Sequence, residues 1–341
     1  VTTPRWIHQT DLFRPHIDPD DHWDLACVMA LAGSGRVKLE GVVIDSPPAA
    51  TPPLNPDAVA VAQMNYLRGL SAPFVTGSSA PFASGVSRTL EVRDRAAMRF
   101  ILDTLQSSSD PVTIHIVGSC RDVALALDAA PELFRANCAG IYLNAGQGAP
   151  DPETWVGLEY NVAVNAAAYQ SLFSAPCPLY WVPCYYAIYE DRTVREYASW
   201  WDFEQGEVLR DLPGGFQNYF LSVLGQRPTA DWLSDLLGPV DAAALETFSR
   251  KRRNMWSTAG FLHASGRAVR TSGEIVALED AGSDALFGFL PVTVQCDDAG
   301  RTRWQHADEG TERFIFRVNN IEHYASAMTR AVKTLLLEGL G

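Results

Sequence analysis

Apolar and polar positions along the first half of the chain change period several times. Short runs rich in β-branched and aromatic residues fall at 6–10, 37–44, 112–117, 140–143 and 179–182. Between them, apolar residues recur at helical spacing over 21–32, 57–69, 90–105, 121–129 and 164–173. Strands alternating with helices of roughly ten to fifteen residues predict βαβ crossovers. The fold class that follows is α/β, a mainly parallel open sheet flanked by helices. The Pro- and Ala-rich stretch from Asp45 to Asn55 reads as an extended surface loop.

After Pro183 the pattern changes. Aromatic amphipathic segments at 194–203, 215–224, 229–237 and 242–248 predict helices, and Arg252-Arg253 reads as a solvated helix face. A hairpin is expected at 292–296 and 301–305, about the turn Asp297-Asp298-Ala299-Gly300. A strand at 313–318 then leads into a helix at 320–337. No internal repeat or low-complexity linker interrupts the chain. The expected organisation is one domain over 1–341: an α/β core at 1–184 and a helical and hairpin part at 185–341 that completes the pocket.

With 341 residues and 47% hydrophobic side chains, the chain can bury a large core. No apolar run approaches the length of a membrane span, so no membrane partner is expected. Forty acidic against 27 basic residues give a net charge of −13, which argues against a nucleic-acid partner. A neutral, cationic or metal-assisted small molecule fits that charge better. The six cysteines lie scattered in apolar stretches without a CxxC pair, and read as buried thiols. The start at Val1-Thr2-Thr3-Pro4 carries no initiating Met and no signal-peptide pattern. It suits a cytoplasmic protein and an exported one with its leader removed equally well.

The chemistry concentrates near the N-terminus, where Asp11, Asp18, Asp20 and Asp21 lie between the first strand and the first helix. That junction is where open α/β sheets bind ligands. Helix capping accounts for one or two of these acids, with Asp24 completing a capping-box pattern. It does not account for all four, which repel one another unless a cation joins them. An EF-hand is a poor alternative, since the loop lacks the central Gly and terminal bidentate Glu. Gly146-Gln147-Gly148 is only a turn signal.

Four segments in register resemble the inosine-uridine-preferring nucleoside hydrolase family. They are Gln9-Thr10-Asp11 followed by Asp20-Asp21, the turn Val117-Gly118-Ser119-Cys120-Arg121-Asp122, the Gly-ended strand Ile141 to Gly148, and Leu158-Glu159-Tyr160-Asn161. The resemblance spans roughly residues 5 to 184. It implies a nucleoside hydrolase-like α/β fold and calcium-dependent hydrolysis of N-glycosidic, ribosyl bonds. It implies Ca2+ bound by Asp11, Asp21 and the Val117 carbonyl, with Asp11 also as the general base for the attacking water. Asp20, Glu159 and Asn161 would bind the ribose hydroxyls, and His22 could face the pocket. The implied partner is a small nucleoside or glycoside, and the resemblance leaves room for a homo-oligomer.

Two departures stand out. The loop between Asp11 and Asp20 is longer than the family's and carries Arg14, His16 and Asp18. The late His-Asp pair of the family is missing from Arg252-Arg253-Asn254-Met255-Trp256-Ser257-Thr258, where Asn254 is the expected oxygen donor. His22, His263 and Tyr185 are the remaining candidates for a leaving-group acid, and Trp155, Trp256 and Tyr185 are candidate pocket aromatics. The altered late segment keeps two alternatives open: hydrolysis of another glycoside or sugar-derived substrate, and sugar or nucleoside binding without turnover.

Overall fold

The computed structural model describes residues 2–16, 19–47, 53–189, 191–226, 231–308 and 310–340. Its main sheet contains β1 (Arg5–Thr10), β2 (Lys38–Ile44), β3 (Phe74–Thr76), β4 (Val112–Ile116), β5 (Cys138–Leu143) and β6 (Leu179–Trp181). Outside it, β7 (Trp201–Glu204) pairs antiparallel with β8 (Arg252–Met255). The last three strands, β9 (Phe287–Cys296), β10 (Thr302–His306) and β11 (Arg313–Val318), rejoin the main sheet. Its nine strands run in the order β10-β9-β11-β6-β5-β4-β1-β2-β3. Every pairing from β11 to β3 is parallel, while β9 pairs antiparallel with both β10 and β11. The expected hairpin therefore extends the sheet rather than capping it.

Both faces of the sheet are covered, so central strands are apolar throughout rather than alternating. Trp6 of β1 enters one apolar layer and its neighbour Ile7 the other. The first layer is filled by α1 (Asp20–Gly33), α2 (Ala58–Arg68) and the C-terminal helix (Ile321–Leu337); the second by α3 (Ala96–Ser107) and α4 (Arg121–Ala129). The first helix is more enclosed than an amphipathic pattern suggests, because every residue from Asp21 to Leu31 is buried. Among the described residues no helix is long and apolar enough to cross a membrane.

Several local expectations give way to tertiary context. The 194–203 segment is not a helix: Trp201 and Phe203 alternate buried with half-buried Asp202 and Glu204, the period of a strand. Arg252-Arg253 consequently lies in a ladder and not on a helix face. The expected 164–173 helix is α6 (Ala166–Leu172), preceded by a separate short helix, α5 (Tyr160–Val164); between them the Asn165 side chain accepts from the Ala168 N–H and caps α6. The third helix starts late, at Ala96. Asp45 does not open an exposed loop; it is buried, and Asn55–Pro56 pairs with Phe13–Arg14. Asp18 and the centre of that loop lie outside the described residues. Of the cysteines, Cys296 is only half-buried; the other five are buried, and all six are free.

Candidate active site

The chain leaves β1 towards β2 and β3 on one side, and β4 leads to β5 and β6 on the other. This makes the β1–β4 boundary a topological switch point, whose carboxyl end is the usual crevice of an open α/β sheet. A cavity of about 270 Å³ opens there. Asp11 follows β1 and Val117 follows β4, and both line it. The two strand ends are held together by the Val117 N–H donating to the Gln9 carbonyl at 2.9 Å.

Asp20 and Asp21, in the first turn of α1, line the same cavity. The helix N-cap is Pro19, so neither aspartate occupies the capping position. Instead the Thr10 hydroxyl donates to Asp21 Oδ1 at 2.7 Å and ties the helix start to the end of β1. Gly118 allows this close approach. A Cβ there would stand 2.7 Å from the Asp11 nitrogen and 2.8 Å from Asp45 Oδ2.

Asp45 supports the wall from behind and was not read as a site residue from sequence. Its carboxylate accepts from Gln9 Nε2 and, at 2.6 Å, from the Ser119 N–H. Burial pushes this carboxyl up to about 6, against the pull of Arg121 and these hydrogen bonds.

Glu159 and Asn161 also line the cavity. Glu159 caps α5, accepting from the Asn161 N–H at 2.9 Å through Oε1 and from the Val162 N–H at 3.3 Å through Oε2. Oε2 also accepts from the Gly146 N–H at 3.0 Å. Burial raises its carboxyl above the ordinary range, while these backbone donors favour the charged form. Asn161 Nδ2 donates to the Val117 carbonyl at 3.3 Å, whereas its Oδ1 is buried without a hydrogen-bond partner.

The late segment reaches the cavity through Trp256 and Ser257. Asn254 does not line it, correcting the expectation placed on that residue. It lies in β8 opposite Asp202, where the ladder holds it away from the cavity. The Ser257 hydroxyl donates to Asn144 Oδ1 at 2.7 Å, and Asn144 Nδ2 donates to the Val182 carbonyl at 2.8 Å. Tyr185 lines the site as well, together with Tyr160 and Tyr189; Trp155 does not. Asn144, after a strand, and Tyr160, first residue of α5, lay inside the segments that carry the resemblance but were not singled out; Tyr189, in a loop, carried no signal.

His22 also differs from expectation. It is fully buried and faces Asp57 rather than the cavity. His16 and His22 stand 2.8 and 3.4 Å from the same Asp57 oxygen, and Arg14 stands 3.3 Å from the other. Burial raises the Asp57 carboxyl, but the two histidines and Arg14 outweigh it and hold the group well below the carboxylate range. The long loop is thus pinned to the start of α2, where Asp57 also accepts from the Ala60 N–H. His263 bonds the Tyr142 hydroxyl at 2.7 Å and is not a lining residue either.

Two donor sets could interest a metal ion. Among the described residues, three His, Cys, Asp or Glu ligand atoms come within 4.8 Å of one another only at His16, His22 and Asp57. There the Arg14 guanidinium already supplies the positive charge. The cavity offers a different set, all oxygen: the Asp11, Asp20 and Asp21 carboxylates, the Val117 carbonyl and the partnerless Asn161 Oδ1. Hard divalent ions prefer such oxygen ligands.

No protein-family model and no curated protein matches this sequence. Solved structures do match. A purine-preferring ribonucleoside hydrolase from Gardnerella vaginalis is 14% identical, with a TM-score of 0.52 over 97% of this chain and 99% of that one. The type III effector protein XopQ, solved with adenosine diphosphate ribose, is 14% identical, with a TM-score of 0.51 over 98% of this chain and 95% of that one. An inosine-guanosine nucleoside hydrolase is 16% identical, with a TM-score of 0.50 over 97% and 99%. With its large, mostly parallel sheet flanked by helices, this chain has the nucleoside hydrolase-like α/β fold.

Proposed function

We propose that this protein is a calcium-dependent hydrolase of N-ribosyl bonds, with Asp11, Asp21 and the Val117 carbonyl holding the ion. The observation that carries this reading is the meeting of Asp11, Asp20, Asp21, Glu159 and Asn161, from three separate stretches of chain, around one cavity at the switch point. The likeness of fold to nucleoside hydrolases supports it. Bound calcium would acidify and orient a water and take ribose hydroxyls as further ligands. Asp11 accepts the water's proton as its oxygen attacks C1′. Asp20 accepts from a ribose hydroxyl. Glu159 Oε1, which takes a single backbone donor, keeps a lone pair for another. The carboxylates also stabilise the positive charge that develops on the sugar ring.

The test incubates purified protein and calcium with inosine, uridine, 4-nitrophenyl riboside and non-ribosyl aryl glycosides, following release of base or phenol beside Asp11→Ala. Ribose-specific release that needs calcium and Asp11 is expected. Release only from non-ribosyl glycosides would move the substrate class. Calcium-dependent ligand binding with no turnover of any substrate would refute the hydrolase.

A further inference from the structure

Neither Arg14 nor His16, from the long loop between Asp11 and Asp20, lines the cavity. The loop instead has an anchor of its own. His16 comes from the loop, His22 from the first turn of α1 and Asp57 from the N-cap of α2. All three are buried, and one ligand atom from each lies within 4.8 Å of the other two. Both imidazoles turn Nε2 to the same carboxylate oxygen, Asp57 Oδ2. Their planes are perpendicular, with ring centroids 4.6 Å apart.

Hydrogen bonding alone serves this group poorly. The His16 contact, 2.8 Å, has an ordinary length, but the His22 contact, 3.4 Å, is long. Donor atoms around a tetrahedral zinc ion, each about 2.0–2.2 Å from the metal, stand roughly 3.3 Å apart. The His22 contact already has that spacing, and the His16 contact must open by roughly half an ångström to reach it. Arg14 and the Ala60 N–H take the other oxygen, Oδ1, at 3.3 and 3.2 Å. They orient the carboxylate and balance its charge, and leave Oδ2 where the two imidazoles converge. A fourth polar group borders the cluster. Tyr219, in the helix Gly214–Leu224, has its ring centroid 6.1 Å from that of His22. Its hydroxyl is fully buried without a hydrogen-bond partner. Burial raises this phenol well above its ordinary range, and of the charges around it Asp57 raises it most.

We propose that His16, His22 and Asp57 form a second metal site, of the zinc class, with its fourth position towards the Tyr219 hydroxyl. Two imidazole nitrogens and a carboxylate oxygen are zinc donors, whereas the oxygen-only set of the cavity suits a harder ion. The ion clasps the loop to the starts of α1 and α2, and so steadies the turn that presents Asp20 and Asp21 to the cavity. The site stands independently of the reaction proposed there.

The experiment titrates metal-free protein, without a histidine tag, with Zn2+ in the presence of excess Ca2+, by calorimetry. One equivalent of Zn2+ is expected to bind. Co2+ in its place is expected to show the intense visible absorption of a four-coordinate site. His16→Gln and His22→Gln should each weaken zinc binding by more than about a hundredfold, beyond the cost of losing an outer-sphere partner. Should His22→Gln fail to fold, His16→Gln, in the loop, carries the test; should neither fold, the Co2+ spectrum of the unaltered protein carries it. Asp11→Ala, altered in the cavity alone, should keep the zinc. No zinc uptake beside Ca2+, undiminished affinity in His16→Gln, zinc lost with Asp11→Ala, or the weak spectrum of six-coordinate Co2+ would each overturn the site.

Discussion

Replacing Gly118 by alanine sets a methyl group into the joint between the two strand ends that carry the site. The new Cβ would lie 2.7 Å from the Asp11 nitrogen, 2.8 Å from Asp45 Oδ2 and 3.0 Å from the Thr10 carbonyl carbon. Two of these are backbone atoms and the third is a buried, hydrogen-bonded carboxylate, so none can rotate away. The end of β1 must retreat by several tenths of an ångström to reach ordinary contact. Overpacking of this kind costs about 1–3 kcal/mol. A displacement approaching 1 Å at a reacting group costs up to about 10²-fold in rate. Gly118→Ala should therefore lower the urea midpoint modestly, weaken calcium binding by titration calorimetry, and reduce kcat/KM on 4-nitrophenyl riboside by roughly ten- to a hundredfold. Gly260→Ala is the control: its Cβ would meet Val182 at 3.6 Å and Tyr142 at 3.8 Å, ordinary contacts inside a helix. Helix propensity there favours alanine by about 1 kcal/mol. Wild-type calcium affinity and turnover in Gly118→Ala would refute the claim that the β1–β4 junction sets the site.

Thr10→Val removes the donor to buried Asp21 Oδ1 and should cost about 1–3 kcal/mol in urea denaturation, with weaker calcium binding. Asp57→Asn leaves His16, His22 and Arg14 without their shared carboxylate and should cost about 3 kcal/mol, together with faster proteolysis in the loop before α1. Burial lowers His8 to about 3 and His22 and His263 to about 4. The folded state then binds fewer protons than the unfolded one below about 6.5. The stability these groups contribute is present above that pH and is lost as pH falls towards their folded values. Asp45 and Asp122, raised to about 6 and 7 by burial, work in the opposite sense. The difference between wild type and His8→Leu isolates one histidine. Wild type should lose up to about 1.4 kcal/mol more per pH unit between pH 6 and 4; parallel stability curves would refute it.

The strands from 6 to 182, apart from the short edge strand β3 (Phe74–Thr76), which is not buried on both faces and was not expected, were legible because a parallel sheet covered on both faces needs unbroken apolar runs, and these stand out from helical periodicity. The carboxylates stood out because Asp11, Asp20 and Asp21 are adjacent in chain as well as in space. The second half was harder to read. Trp201 and Phe203 look like a helix stripe until a partner strand selects their period of two, and that partner lies about fifty residues later. Asn254 attracted attention as the substitute for a missing carboxylate, yet the same pairing turns it from the cavity. His22 invited a role at the pocket, but its direction is set by Asp57, thirty-five residues on.

The order of strands and helices in the first half, and the acids at the end of β1, follow from local pattern: hydrophobic period and neighbouring charge act over a few residues. Which of those acids share a cavity, that Glu159 and Asn161 join them, and that Trp256 and Ser257 replace Asn254 at the far wall depend on strand order and ladder register. Those are long-range choices, made by burying both faces of one sheet and satisfying its buried polar groups, and no local stretch of residues encodes them alone.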